Sequence, residues 1–169
     1  MHLQLDQQLF DHLLAEATKS PRKRSHFTLH QSEGEAVQRM CIGLLQGTYI
    51  RPHRHPQSNK WELLVVLQGS VGIAQFDDDG AIVKKHTLDQ SDALSGIEIE
   101  PNVWHSLYPL THEAVLLEVK AGPYIPAMAG DFASWAPEEG DTNVPKFLEW
   151  QERATEGDQY GGVPTGRVA

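Results

Sequence analysis

Cysteine is almost missing from this chain: Cys41 stands alone among 169 residues. One thiol cannot close an internal disulfide or build a thiolate zinc cluster, so neither organises the fold. Its setting, "MCIGLL", reads as a buried small hydrophobe rather than a nucleophile. Long apolar runs are missing too, and nothing approaches the roughly 18–20 residues of a membrane-spanning helix. The opening "MHLQLDQQLFDHLL" has no basic start and no small-residue cleavage site of a secretory leader. A cytoplasmic protein is the expectation. Basic residues are scarce as well. Fourteen Lys plus Arg against 23 Asp plus Glu give a net charge of −9, which argues against nucleic acid as a partner.

What remains is ordinary in bulk. Forty per cent apolar and 22 per cent charged residues suit one globular domain with a real core. From Leu9 onward the first segment, to about residue 18, carries apolar residues at helical spacing, and Pro21 ends it. No segment from 22 to 122 repeats that period. Short strand-like runs take over, among them "AVQRMCIGLL", "TYIRPHRHP", "WELLVVLQG", "SVGIAQF" and "AIVKKHTL". The "DDDG" between the last two is a strong hairpin signal. "SGIEIEP", "VWHSLYPL" and "AVLLEVKAG" follow. About eight closely spaced strands predict an all-β sandwich or closed barrel over residues 25–122. Residues 1–24 form the N-terminal helix and linker. Residues 123–169, rich at first in Pro, Gly and Ala, read as a C-terminal arm anchored by Phe132 and Trp135. "KFLEWQERA" suggests a short helix there, and the segment from Thr155 onward reads as frayed.

The chemistry sits in "RPHRHPQSNKWELLVVLQG". On a strand, His53 and His55 point to one face, and period two puts Tyr49 and Arg51 on that face with them. Glu62 opens the next apolar run. His105 follows a Pro-Asn turn in "EPNVWHS".

These residues resemble the two motifs of the cupin superfamily. The first is Gly, five residues, His-x-His, three or four residues, Glu, six residues, Gly. Gly47, His53, His55, Glu62 and Gly69 match it, except that six residues separate His55 from Glu62. Glu62 keeps its spacing to Gly69, so the surplus falls in the "PQSNK" turn, where insertion costs little. The second motif contains Pro-x-Gly-x-x-His, three residues, Asn. His105 matches its histidine, whereas Glu100, Asn102 and Pro109 replace its Pro, Gly and Asn. Asn tolerates the left-handed backbone such a turn can require.

More narrowly, "SPRKRSHFTLHQ", "VQRM", "TYIRPHRHPQSNKWE", "FDDDGAI", "EPNVWHS" and "EVKAGPYIP" resemble the WbuC family of cupin-fold metalloproteins over about residues 20–150. The resemblance implies a double-stranded β-helix (jelly-roll) barrel and one divalent transition metal on His53, His55, Glu62 and His105. The family is linked to bacterial polysaccharide gene clusters. Three imidazoles and a carboxylate suit Zn, Fe, Mn, Ni or Co. For Glu62 an alternative is an ion pair with Lys60 or Arg51.

Around that set, Tyr49, Arg51 and Glu118 are the candidate catalytic groups. Arg51 either forks onto an anionic ligand or pairs with Glu62 or Glu118. Glu118 either faces solvent, the favoured reading, or lines the cavity. Trp104 is pocket wall or core. Arg22, Lys23 and Arg24 are a solvated linker or a source of anion affinity at the barrel mouth. The other histidines read as surface or structural. A metal-dependent isomerase or epimerase acting on a small polar or anionic sugar derivative leads the functional expectations. An iron-dependent dioxygenase is one alternative, and a non-catalytic binding module with a structural metal is another. A homodimer is expected, paired through sheet edges or a swapped N-terminal strand.

Overall fold

The computed structural model describes residues 4–161. Helix α1 (Gln7–Lys19) starts where the Asp6 carboxylate accepts a hydrogen bond from Leu9 N at 3.0 Å, and it ends at the extended Ser20 before Pro21. It buries Phe10, Leu13, Leu14 and Ala17 against Cys41 and Val115. Gly43 permits that approach: a Cβ there would come within 3.1 Å of the Leu13 backbone. Cys41 is fully buried, as its apolar setting predicts.

Eight strands follow, β1 (Arg24–Thr28), β2 (Val37–Leu45), β3 (Glu62–Gln68), β4 (Ser70–Phe76), β5 (Ile82–Asp89), β6 (Gly96–Ile99), β7 (Trp104–Pro109) and β8 (Glu113–Ala121). They form two antiparallel sheets, ordered β1-β2-β8-β3-β6 and β5-β4-β7. Sequence-distant strands lie side by side, as in the jelly roll of the cupin double-stranded β-helix. The acidic turn closes the β4–β5 hairpin, with Asp77 Oδ1 accepting from Asp79 N and Ala81 N at 3.0 and 2.8 Å.

Strand register explains where the site lies. Opposed across β2, β8 and β3 are Leu44 and Ala114, then Ile42, Leu116 and Val66, then Met40, Glu118 and Leu64, then Gln38, Lys120 and Glu62. Side chains two apart share a face. One face of the sheet therefore runs from aliphatic core at one end to charged and polar groups at the other. The aliphatic end packs Ile42, Leu44, Leu64, Val66, Val71, Ile73, Leu88, Leu107 and Leu116 together.

The segment containing the two histidines departs from the sequence expectation. It is extended but makes only isolated bridges, at His53 with His105 and with Phe132. Pro52 and Pro56 lack the N–H a regular ladder requires. Its main chain instead joins three neighbours, through Arg54 N to Asp131 O (2.9 Å), Ala133 N to Pro52 O (2.9 Å) and Asn102 N to His55 O (2.7 Å).

The arm after β8 runs over the barrel and leads to helix α2 (Val144–Arg153). A second core forms there from Tyr49, Phe76, Trp104, Tyr108, Ala133, Ala136 and Phe147. Trp135 lies on Gly80, where a Cβ would meet its ring at 2.5 Å and where φ is +87°. The expected fraying from Thr155 onward is corrected as far as Gly161. Tyr160 packs on Phe147 and Trp150, and Gln159 bridges Ala81. The rest of that expected tail, residues 162–169, lies outside the described residues. No helix among the described residues is long and apolar enough to cross a membrane.

Candidate metal centre

His53 and His105 are tied together by their main chains. His53 N donates to His105 O at 3.0 Å, and His105 N donates to His53 O at 2.9 Å. His55 follows on the same segment, and Glu62 enters from the start of β3. One ligand atom from each of His53, His55, Glu62 and His105 lies within 4.8 Å of all the others. The surplus residues of the first motif sit in the 57–60 turn, which Lys60 N closes onto Gln57 O at 2.9 Å.

Two of the imidazoles are set in a defined state. Nδ1 of His53 lies 3.0 Å from Arg51 O, and Nδ1 of His105 lies 3.0 Å from Val103 O. A carbonyl only accepts, so Nδ1 carries the proton and donates, leaving the Nε2 lone pair for another partner. Nε2 of His55 and of His105 is buried and has no hydrogen-bond partner among the described residues. Both face Glu62 Oε2, at 3.7 and 3.0 Å. The 3.0 Å approach is a close contact without hydrogen-bond alignment. Orphaned buried ring nitrogens converging on a carboxylate are what a metal-binding set requires, and the donor types fit Zn, Fe, Mn, Ni or Co.

The electrostatics agree. Burial, and then the nearby His105 and His55, push the His53 pKa down to about 3, so this imidazole is neutral at physiological pH. Burial alone would raise the Glu62 carboxyl, but His105, His55 and Lys120 outweigh it and hold the group well below the usual carboxylate range. Burial would lower His105, and the adjacent Glu62 reverses that. The cluster therefore keeps Glu62 ionised and His53 neutral, while Glu62 draws a proton toward His105 that a bound cation would displace.

The other sequence candidates fall elsewhere. Tyr49 does not share the histidine face. Without a regular ladder, its ring turns into the second core against Phe147, and its hydroxyl donates to Pro137 O at 2.7 Å. Arg51 does line the cavity, but it pairs with neither Glu62 nor Glu118. Its Nε and one terminal nitrogen donate to Ala133 O at 3.2 and 2.8 Å, and the other lies 3.6 Å from Glu138. Glu118, favoured as solvent-facing, is buried instead, because its register position points inward. Its pKa is raised by burial and then by the charge of Glu62. Trp104 belongs to the second core, with Arg54 stacked 4.3 Å from its ring. Glu62 pairs with neither Lys60 nor Arg51. Lys60 donates to Ala121 O and Pro123 O at 2.9 and 2.5 Å.

Lys120 is a functional neighbour that the sequence reading does not single out. It lies directly across from Glu62 and reaches Glu118 Oε1 at 2.5 Å and Glu62 Oε1 at 3.6 Å. The signal is present in "EVK": two charges two apart on a strand share a face. His26, expected to be surface or structural, lines the same cavity. Its ring is solvent-accessible, but surrounding protein, and then Arg24, Arg22 and Lys120, lower its pKa to about 4.

These groups bound a cavity of about 250 Å³, walled also by Ile50, Trp61, Ile125 and Phe132. The fold and site together define a cupin-fold protein with a candidate metal centre. The profile of a domain of unknown function, DUF6016, matches residues 5–88, a span that includes His53, His55 and Glu62 but stops short of His105. No curated protein matches the chain. Among solved structures, the TT1209 protein from Thermus thermophilus is similar in fold at 19% identity and a TM-score of 0.51, covering 72% of this chain and 97% of that one. A cupin superfamily protein from Desulfitobacterium hafniense aligns at 17% identity, with a TM-score of 0.46 over 58% of this chain and 76% of its own. An RmlC-like cupin family protein with a double-stranded β-helix fold, from Methanocaldococcus jannaschii, aligns at 17% identity, with a TM-score of 0.45 over 61% and 84%.

Proposed function

We propose that this protein is a metalloprotein holding one divalent transition metal on His53, His55, Glu62 and His105, and that it acts on a small polar or anionic molecule. A sugar derivative of bacterial polysaccharide biosynthesis is the substrate class that the WbuC resemblance suggests. One observation carries the reading: four potential ligand atoms lie within 4.8 Å of one another, and two of the imidazoles are fixed with Nδ1 on a carbonyl. The ion, when bound, supplies a Lewis acid for a carbonyl or phosphoryl oxygen. The chain's own groups do the rest. Arg51 presents a guanidinium nitrogen with no partner nearer than 3.6 Å to the arriving molecule. Glu118 and Lys120 hold charge and protons beside Glu62. Trp61 and Phe132 exclude water from one wall.

Elemental analysis tests the metal. Wild type should carry or take up about one equivalent, and His53→Ala/His55→Ala none. A wild type that takes up no metal, or a double variant that retains it, ends the reading. Turnover of phosphorylated sugars supports isomerase or epimerase chemistry. Oxygen uptake by iron-loaded protein would replace it with a dioxygenase. Ligand-induced thermal shifts without turnover would replace it with a binding module. We also propose a homodimer. Among the described residues strand β1 is a sheet edge, paired with β2 alone, and light scattering at the mass of a monomer would refute the dimer.

A further inference from the structure

The cavity contains a second charged device besides the candidate metal centre. Glu139, on the arm, is gripped by two arginines from the start of the barrel. Arg22 contacts both carboxylate oxygens at 3.0 Å, and Arg24 donates to Oε1 in a short contact. The Arg24 side chain is 6% exposed and is fixed from behind by a 2.7 Å bond to Tyr49 O. Such a buried, pre-aimed guanidinium is a ready seat for a planar or tetrahedral oxyanion. Its present occupant is firmly paired yet within reach of solvent, since the Glu139 side chain is 40% exposed and the neighbouring Glu138, beside Arg51, is 80% exposed.

The distribution of charge points the same way. In a chain of net charge −9 with 14 Lys and Arg, five of them, Arg22, Arg24, Arg51, Lys60 and Lys120, line this one cavity. Facing them are the carboxylates Glu62, Glu118, Asp131 and Glu139. If Glu139 swings out, five cations face three carboxylates, and an entering anion restores the balance.

We propose that Arg22 and Arg24 form an oxyanion subsite of this cavity, for the phosphate or carboxylate group of a small molecule, and that Glu139 occupies it as an internal stand-in until the ligand displaces it. The subsite deepens the reading of a small anionic substrate and rests on it, but the seat itself needs no metal. Ligand entry then releases the arm at Glu139, while the Tyr49 hydroxyl still holds Pro137. The arm registers occupancy of the cavity.

The test uses the purified full chain, and the same chain after chelation so that phosphate held by a metal is told apart. Inorganic phosphate and acetate are the probes, read by calorimetry and by thermal midpoint. Glu139→Gln should bind phosphate about tenfold tighter than wild type, because the internal competitor is weakened. It should also lose thermal midpoint without anion and recover it with phosphate. Adding Arg22→Gln, on an exposed side chain, should abolish both effects. A response to acetate extends the subsite to carboxylates, and a response to phosphate alone confines it to phosphates. Equal phosphate affinity in Glu139→Gln and wild type, or equal midpoint shifts, would make Glu139 a plain latch and overturn the proposal. A chain that shows the phosphate effects but binds no metal would overturn the metal reading and leave this one standing.

Discussion

Lys120 shows how much one side chain can settle. It stands between two buried carboxylates, Glu62 and Glu118, and its own pKa is raised because they outweigh the burial that would lower it. Lys120→Met should cost about 3 kcal/mol in urea unfolding, since it strands both carboxylates. Adding Glu118→Gln should recover part of that loss. Asn102 is a quieter case. Its φ of 65° places it in the left-handed region, where the related motif carries Gly. Asn102→Gly should change stability by less than ~0.5 kcal/mol, whereas Asn102→Val should cost about 1–2 kcal/mol in the same measurement.

At the scale of elements, the arm and α2 are bound mainly through Phe147. Its fully buried ring meets Tyr49, Trp150 and Tyr160 at centroid distances of 5.6, 5.3 and 4.8 Å. Phe147→Ala should cost about 3–5 kcal/mol by denaturant unfolding and speed hydrogen exchange in the arm first. The Glu139 latch adds a pH dependence. Burial would raise this carboxyl, but Arg24 and Arg22 outweigh it and hold the folded pKa below the ordinary value. The latch thus contributes fully above that ordinary value, near 4.5, and is lost as pH falls through the lower folded value. Acid titration of wild type should show an arm-release step below about pH 4.5 that Glu139→Gln lacks.

The elements also mark what can be read from residues alone. Short apolar runs bounded by turn residues, with the hairpin chemistry of the acidic turn, locate every strand from β2 to β8, although buried strands such as β4 and β7 do not alternate. The four clustered residues are legible through the resemblance of their motifs to those of cupins. Parity holds for Arg51, His53 and His55 but fails at Tyr49, in a segment where the prolines remove the regular ladder. In "EVK" the lone glutamate of an apolar run suggests a solvent-facing charge, and only the register beside Glu62 reveals that Glu118 and Lys120 both turn inward. The contact of Tyr160 with Phe147 is a long-range aromatic pairing with no local signature.

For the whole molecule, metal binding and stability should be coupled. An ion at a hundred times its Kd should stabilise the fold by about 2.7 kcal/mol, seen as a rise in thermal midpoint that chelator reverses. His53→Ala/His55→Ala should show no rise. The charge arrangement has a second whole-molecule effect. An acidic surface repels anions at long range, while the cavity draws them in at short range, so salt should speed the association of phosphate by screening the surface.

The paired main-chain bonds between His53 and His105 carry a consequence for cellular metal choice. Because the backbone is stapled between these two residues, their imidazoles are positioned by main-chain bonds that need no ion. Exchange of one metal for another then requires no refolding and meets no folding checkpoint. With a donor set that accepts several ions, occupancy in the cell follows supply. If this protein carries a metal as proposed, the same polypeptide would hold different ions under different nutritional states without any change in its sequence.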